Sequence, residues 1–170
     1  MSKKKILSLE QRMCLAQEQH KEKSKCENAC EPIELKTHEQ YRSYLELIES
    51  DCRKIIIVQI DGEDNADPIV YHAKKKMQLA CVNRVMEWFG SIAPNSNALE
   101  YTFVKSKAFF DYLRCFESFY IEICDNPYEI RRTSFGLDDI AFIGEKGELL
   151  LYTTTHEGSA YLNKKYVCAM

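Results

Sequence analysis

The residue types best suited to chemistry meet near the C-terminus, in Thr155-His156-Glu157-Gly158. An imidazole beside a carboxylate can act as an acid–base pair or supply two ligands to a metal. With Ala160 and Tyr161 in the later positions, the HExxH pattern of zincins is absent. Metal sites need three or four ligands, so His156 and Glu157 need help. Asp61, with Asp139 in support, would complete a small metal-assisted hydrolase. The plainer reading is a polar strand end, with Thr155 and Glu157 making local hydrogen bonds.

Asp61 draws notice because it directly follows the apolar run Lys54–Ile60, KIIIVQI. An Asp at the carboxyl end of a buried strand is where α/β phosphotransferases and phosphatases hold a nucleophile or Mg²⁺. Haloacid-dehalogenase-type enzymes add a second Asp two residues on, and here that position is Glu63. Asp138-Asp139 offers further carboxylates, but no matching lysine or serine motif accompanies them. A second cluster, His20, Cys26, Cys30 and His38, falls within nineteen residues and has the ligand types of a zinc knot. Its Cys-x3-Cys spacing lacks the usual second cysteine pair, and a linker with incidental cysteines explains it more simply. Cys124 with His156 is the one thiol–imidazole pairing the strand pattern suggests, and nothing near Cys124 marks it as activated. No glycine-rich phosphate loop is present, and no cofactor is expected.

These residues need elements to hold them. Ile140–Ile143 and Leu149–Thr155, joined by Gly144-Glu145-Lys146-Gly147, read as a β-hairpin, apolar on both faces and therefore central. Lys54–Ile60 reads as a buried strand, Leu99–Val104 as a short one, and Phe119–Cys124 as a half-buried one. Two capping boxes are legible, Ser8 with Gln11 and Thr37 with Gln40. The first predicts a polar helix over residues 8–25, followed by a linker at Cys26–Pro32. The second predicts a helix from Thr37 to Ser50 with Tyr41, Tyr44, Leu45 and Ile48 on its buried face. Asp67-Pro68 predicts a long helix to Phe89, stopped at Gly90, with Val70, Met77, Cys81, Val85 and Trp88 buried. Ser106 predicts a helix through Phe116, burying Phe109, Phe110, Leu113 and Phe116. The tail from Ala160 is expected to dock Tyr161, Leu162, Tyr166 and Val167 onto the sheet.

The 170 residues have ordinary composition, 45% hydrophobic and 29% charged, which fits one domain with a real core. The expected fold is α+β: a mixed sheet with a C-terminal hairpin, flanked by helices (37–170), plus an N-terminal helical arm and linker (1–36). The first 38 residues carry eight basic and six acidic side chains, leaving fifteen and twenty for the rest. A formal net charge of −3 argues against a nucleic-acid binder. The Lys74–Lys76 run with Arg84 reads as a solvated basic face. No signal peptide or spanning segment is evident, and eight irregularly spaced cysteines suit reduced thiols, so a cytoplasmic location is expected.

With no complete catalytic set, an acidic body, and tyrosines such as Tyr101, Tyr112, Tyr120, Tyr152 and Tyr161 available for a surface, the expected function is protein binding. The expectation extends to an inhibitor or toxin-immunity-type protein that occludes a basic partner surface. Asp61, Glu63, Asp64 and Asp67 would then carry the contact. The hydrolase of Asp61, His156 and Glu157 is the alternative.

Overall fold

The computed structural model describes residues 9–35, 37–59, 69–92, 97–119 and 138–167. Among them are five helices: α1 (Leu9–Glu27), α2 (His38–Glu49), α3 (Ile69–Lys76), α4 (Lys107–Leu113) and α5 (Lys164–Val167). The strands are β1 (Cys30–Pro32), β2 (Cys52–Gln59), β3 (Gln78–Arg84), β4 (Glu87–Trp88), β5 (Ser91–Ile92), β6 (Leu99–Val104), β7 (Asp139–Gly144), β8 (Leu149–Thr154) and β9 (Ser159–Asn163). Seven of them form one sheet in the order β1-β9-β8-β7-β2-β6-β3, and β4 and β5 form a separate small hairpin. The fold is α+β, as expected. The sheet is antiparallel at every pairing rather than mixed. β2 takes β6 and β7 on its two sides, both antiparallel, so the helical connections join strands that are not neighbours.

Hydrophobic patterning explains the centre. β7 and β8 are buried along their whole lengths, and β7 occupies the middle of the sheet. On one face Ile55, Ile57, Tyr101, Phe103, Ile140, Phe142 and Leu162 meet the apolar sides of α2, α3, α4 and α5. Each such side chain stabilises the fold by ~1.5–3 kcal/mol through area removed from water. The α2 face is the expected one, Tyr41, Tyr44, Leu45 and Ile48. Its capping box is formed at both bonds, Gln40 N–H to Thr37 Oγ1 and Thr37 N–H to Gln40 Oε1, each 3.2 Å. Ser106 caps α4, accepting from the Phe109 N–H at 3.2 Å, while its hydroxyl donates to the Lys76 carbonyl at 2.7 Å. That pair of bonds fixes where α3 ends and β3 starts. Phe109, Phe110 and Leu113 are buried as expected, whereas Phe116 lies past the helix end and is only partly covered.

Two expectations fail because the chain pairs with strands distant in sequence. The long helix to Phe89 ends at Lys76, and the chain from Gln78 pairs with β6 instead. Tertiary pairing overrides the 3.6-residue pattern that Val70, Met77, Cys81, Val85 and Trp88 display. Cys81 is exposed and Val85 half-buried, while Trp88 is buried from the β4–β5 hairpin rather than from a helix. The linker at Cys26–Pro32 is instead the last turn of α1 followed by an edge strand on β9. The stretch expected as an arm thus contributes a strand to the same sheet. The Ser8 cap, the Asp61–Asp67 loop, the Asp67-Pro68 helix start and all of the Phe119–Cys124 strand except Phe119 lie outside the described residues; Phe119 itself is buried. The tail docks as β9 and α5, with Leu162 and Tyr166 buried. No described helix is long and apolar enough to cross a membrane.

The second face carries Ala141, Ile143, Tyr152 and Cys30, covered by Cys26 of α1 and by Phe89 of the small hairpin. Gly90 lets that hairpin settle. Its φ of +78° is a region side chains avoid, and a Cβ there would stand 2.5 Å from the Thr154 methyl.

Candidate functional site

Asp138 directly precedes β7 and Asp139 opens it, and both are buried. The Asp138 carboxylate accepts from the Val70 backbone N–H at 3.2 Å, so it satisfies one of the open donors in the first turn of α3. Asp139 accepts from Trp88 Nε1 at 2.7 Å through Oδ2 and from the Thr155 N–H at 2.6 Å through Oδ1. Beside it Thr153 Oγ1 accepts from the Ile140 N–H at 3.0 Å and shares a hydrogen bond with Thr155 Oγ1 at 2.9 Å. Both Asp139 oxygens therefore hold backbone and indole donors. The residue expected to support a hydrolase is a clamp joining the small hairpin to the strand end.

His156 sits in the 3-10 turn Thr155–Glu157, and its side chain lies outside the described part, as do all atoms of Asp61. Glu157 is exposed. The pocket next to Asp139, walled by Ile56, Val58, Trp88, Phe89 and Tyr152, has a cavity volume of about 10 Å³, room for about one water. That is below the ~300 Å³ at which small-molecule sites begin. Glu63, Asp64 and Asp67 lie outside the described residues with Asp61.

The zinc candidates are not brought together as ligands. His20 is exposed on α1 with Nδ1 2.8 Å from Glu87 Oε1, and His38 opens α2. Cys26 and Cys30 share the second-face cluster. The Cys30 thiol hydrogen points to the Leu149 carbonyl at 3.9 Å. Burial pushes the Cys30 pKa up to about 12, the reverse of what a thiolate ligand needs. Among the described residues no three His, Cys, Asp or Glu side chains gather to hold a metal.

One titratable cluster forms that sequence reading missed. Lys23 of α1 places Nζ 3.9 Å from Glu87 Oε1 and 5.5 Å from the Phe89 ring centre. Burial lowers its pKa, partly offset by Glu87, Glu27 and Glu100. Burial raises the pKa of Glu100 on β6, against the pull of Lys23 and a hydrogen bond from Asn83. Glu27 accepts from the Gly90 N–H at 2.9 Å. These groups tie α1 to the small hairpin. His20 and Glu87 are 67 residues apart, so no spacing rule could have paired them.

The feature with the clearest outward reach is β3. Among the described residues it closes one end of the sheet, and all seven of its residues are exposed. Leu79 is 41% and Val82 43% exposed, with Tyr71 of α3 55% exposed nearby in the chain. Val82 pairs with Tyr101 and Leu79 with Phe103, so both apolar side chains continue the helix-covered face beyond its cover. A bulge falls between Leu79 and Cys81. On the tyrosines expected at a surface, Tyr101 and Tyr152 are buried and Tyr112 and Tyr161 half-buried, while Tyr120 is outside the described residues. Tyr71 is the exposed tyrosine beside the edge. Comparison with protein-family models, curated proteins and solved structures finds no match to the chain.

Proposed function

We propose that the chain is a protein-binding module that takes up an extended segment of its partner as an added strand on β3. The observation that carries this reading is the seven-residue edge strand with every residue exposed. An edge strand presents unpaired N–H and C=O groups, and a partner strand satisfies them with backbone bonds while side-chain contacts supply selectivity. Residues 78–83 read QLACVN, with neither proline nor charge to repel a strand. Occlusion of a basic surface by Asp61, Glu63, Asp64 and Asp67 draws no support from the described residues, because that loop lies outside them. The hydrolase reading loses Asp139 to its two donors.

The test is site-directed photo-cross-linking in the native cell. A photoreactive residue at Val82 should trap a partner of one defined mass, and the same residue at exposed Arg42 on α2 should not. Trapping at Arg42 but not at Val82 would contradict the reading.

A further inference from the structure

We propose that the strand accepted by β3 is acidic: an extended segment of another protein in which carboxylates alternate with apolar side chains. This rests on the strand-addition reading of the same edge. Charge around the edge selects the partner. The seven residues of β3 carry one charge, Arg84, at the far end. Immediately before the strand, the last turn of α3 exposes Lys74, Lys75 and Lys76. Both ends of the edge are therefore basic in a chain whose net charge is −3.

The lysines are also held in place. Lys74 Nζ lies 4.4 Å from the Tyr101 ring centre and 5.9 Å from that of Tyr71. Lys76 Nζ lies 5.3 Å from the Tyr112 ring centre. Resting on an aromatic face, an ammonium is pre-positioned and keeps donors for an incoming carboxylate. Tyr101 is the register partner of Val82, so this aromatic and cationic shelf lies on the same face as Leu79 and Val82. A partner strand with apolar side chains on that face would rest on Leu79, Val82 and Tyr71. Its carboxylates would reach Lys74–Lys76 at one end and Arg84 at the other. Among the described residues, Glu87 and Glu100 direct their carboxylates to the cluster around Lys23, and Glu100 pairs with Asn83 on the opposite face.

A second copy of the chain fits poorly. Antiparallel pairing of β3 with itself about Ala80 would set Lys76 of one copy opposite Arg84 of the other, at both ends. Like charges placed opposite one another select against such a partner.

The experiment titrates the full chain with two fluorescein-labelled ten-residue peptides, one alternating glutamate with valine and one alternating lysine with valine. Anisotropy reads affinity, and amide chemical shifts read location. The expected result is binding of the glutamate peptide with shifts confined to 78–84 and the end of α3. Affinity should fall as salt rises and drop roughly tenfold in the Lys75→Glu/Arg84→Glu double variant. Both residues are exposed, so circular dichroism should show that variant folded as before. Binding of the lysine peptide at β3 as tight or tighter would overturn the acidic partner and leave strand addition standing. Absence of shifts at 78–84 with both peptides would overturn strand addition as well. Shifts there on concentrating the protein alone would identify a second copy as the occupant and overturn the proposal.

Discussion

The two edges of the sheet are built in opposite ways. β1 is three residues long and ends in Pro32, which has no N–H to offer. The chain around it is tied in: Ile33 N–H donates to the Ala160 carbonyl at 3.0 Å, and Lys164 donates through its backbone to Ala29 and through Nζ to Asn28. α1 leads into it and α5 follows its partner strand. β3 is seven residues long, exposed throughout, and has only a bulge and a terminal arginine among the devices that blunt an edge. One edge is closed by its own chain, and the other has no further strand beside it among the described residues. The strand-addition proposal rests on that difference.

The contrast makes graded predictions. The largest effect belongs midway between the edges. Phe142→Ala in β7 removes a fully buried ring packed on Phe110 and Phe119, and should cost ~3–5 kcal/mol in chemical denaturation. Asp139→Ala should follow at ~2–4 kcal/mol, since it strands the Trp88 indole and the Thr155 N–H in the interior. A shift in Trp88 fluorescence would accompany it. At the closed edge, Asn163→Ala should cost ~1–2 kcal/mol. Asn163 donates to the Leu149 carbonyl at 2.7 Å and accepts from the Lys165 N–H at 3.0 Å. At the open edge, Val82→Ala should change stability by no more than ~0.5 kcal/mol. A loss at Val82 as large as that at Asn163 would erase the distinction between the edges.

Most of the interior was legible in the sequence because its signals are local. The Thr37–Gln40 capping box, the Tyr41, Tyr44, Leu45 and Ile48 stripe, the Ser106 cap and the doubly apolar hairpin each report a decision made within a few residues. β3 was not legible. Val70, Met77, Cys81, Val85 and Trp88 keep helical spacing with no glycine or proline among them until Gly90, and the preference for strand comes from β6, fifteen or more residues downstream. β1 was missed because three residues ending in proline give no periodicity. Of the chemical candidates, Asp138 and Asp139 drew attention as carboxylates, but their partners Val70, Trp88 and Thr155 come from three separate stretches of chain. The Lys23 cluster, assembled from α1, β4 and β6, left no mark in sequence at all.

That cluster offers the smallest and most specific test of how α1 covers the second face. Burial raises the Glu100 pKa above its usual 4.5, so its favourable contribution is complete below that value and is lost as pH rises through the raised one. Glu100→Gln should therefore raise the melting temperature at pH 7, with the gain shrinking to nothing near pH 4 or below, about where the ordinary carboxyl is protonated. A gain that persists at low pH would point to packing rather than charge.

The central claim, that β3 is an open edge, is tested most directly by amide hydrogen exchange of the free protein, residue by residue, at a concentration where it is monomeric. In an antiparallel edge strand, alternate N–H groups point away from the neighbour. The account predicts alternation along 78–84, with amides paired to β6 slow and those between them exchanging nearly as fast as unstructured chain. Uniform slow exchange across the strand would mean that the edge is already paired, and would contradict the account.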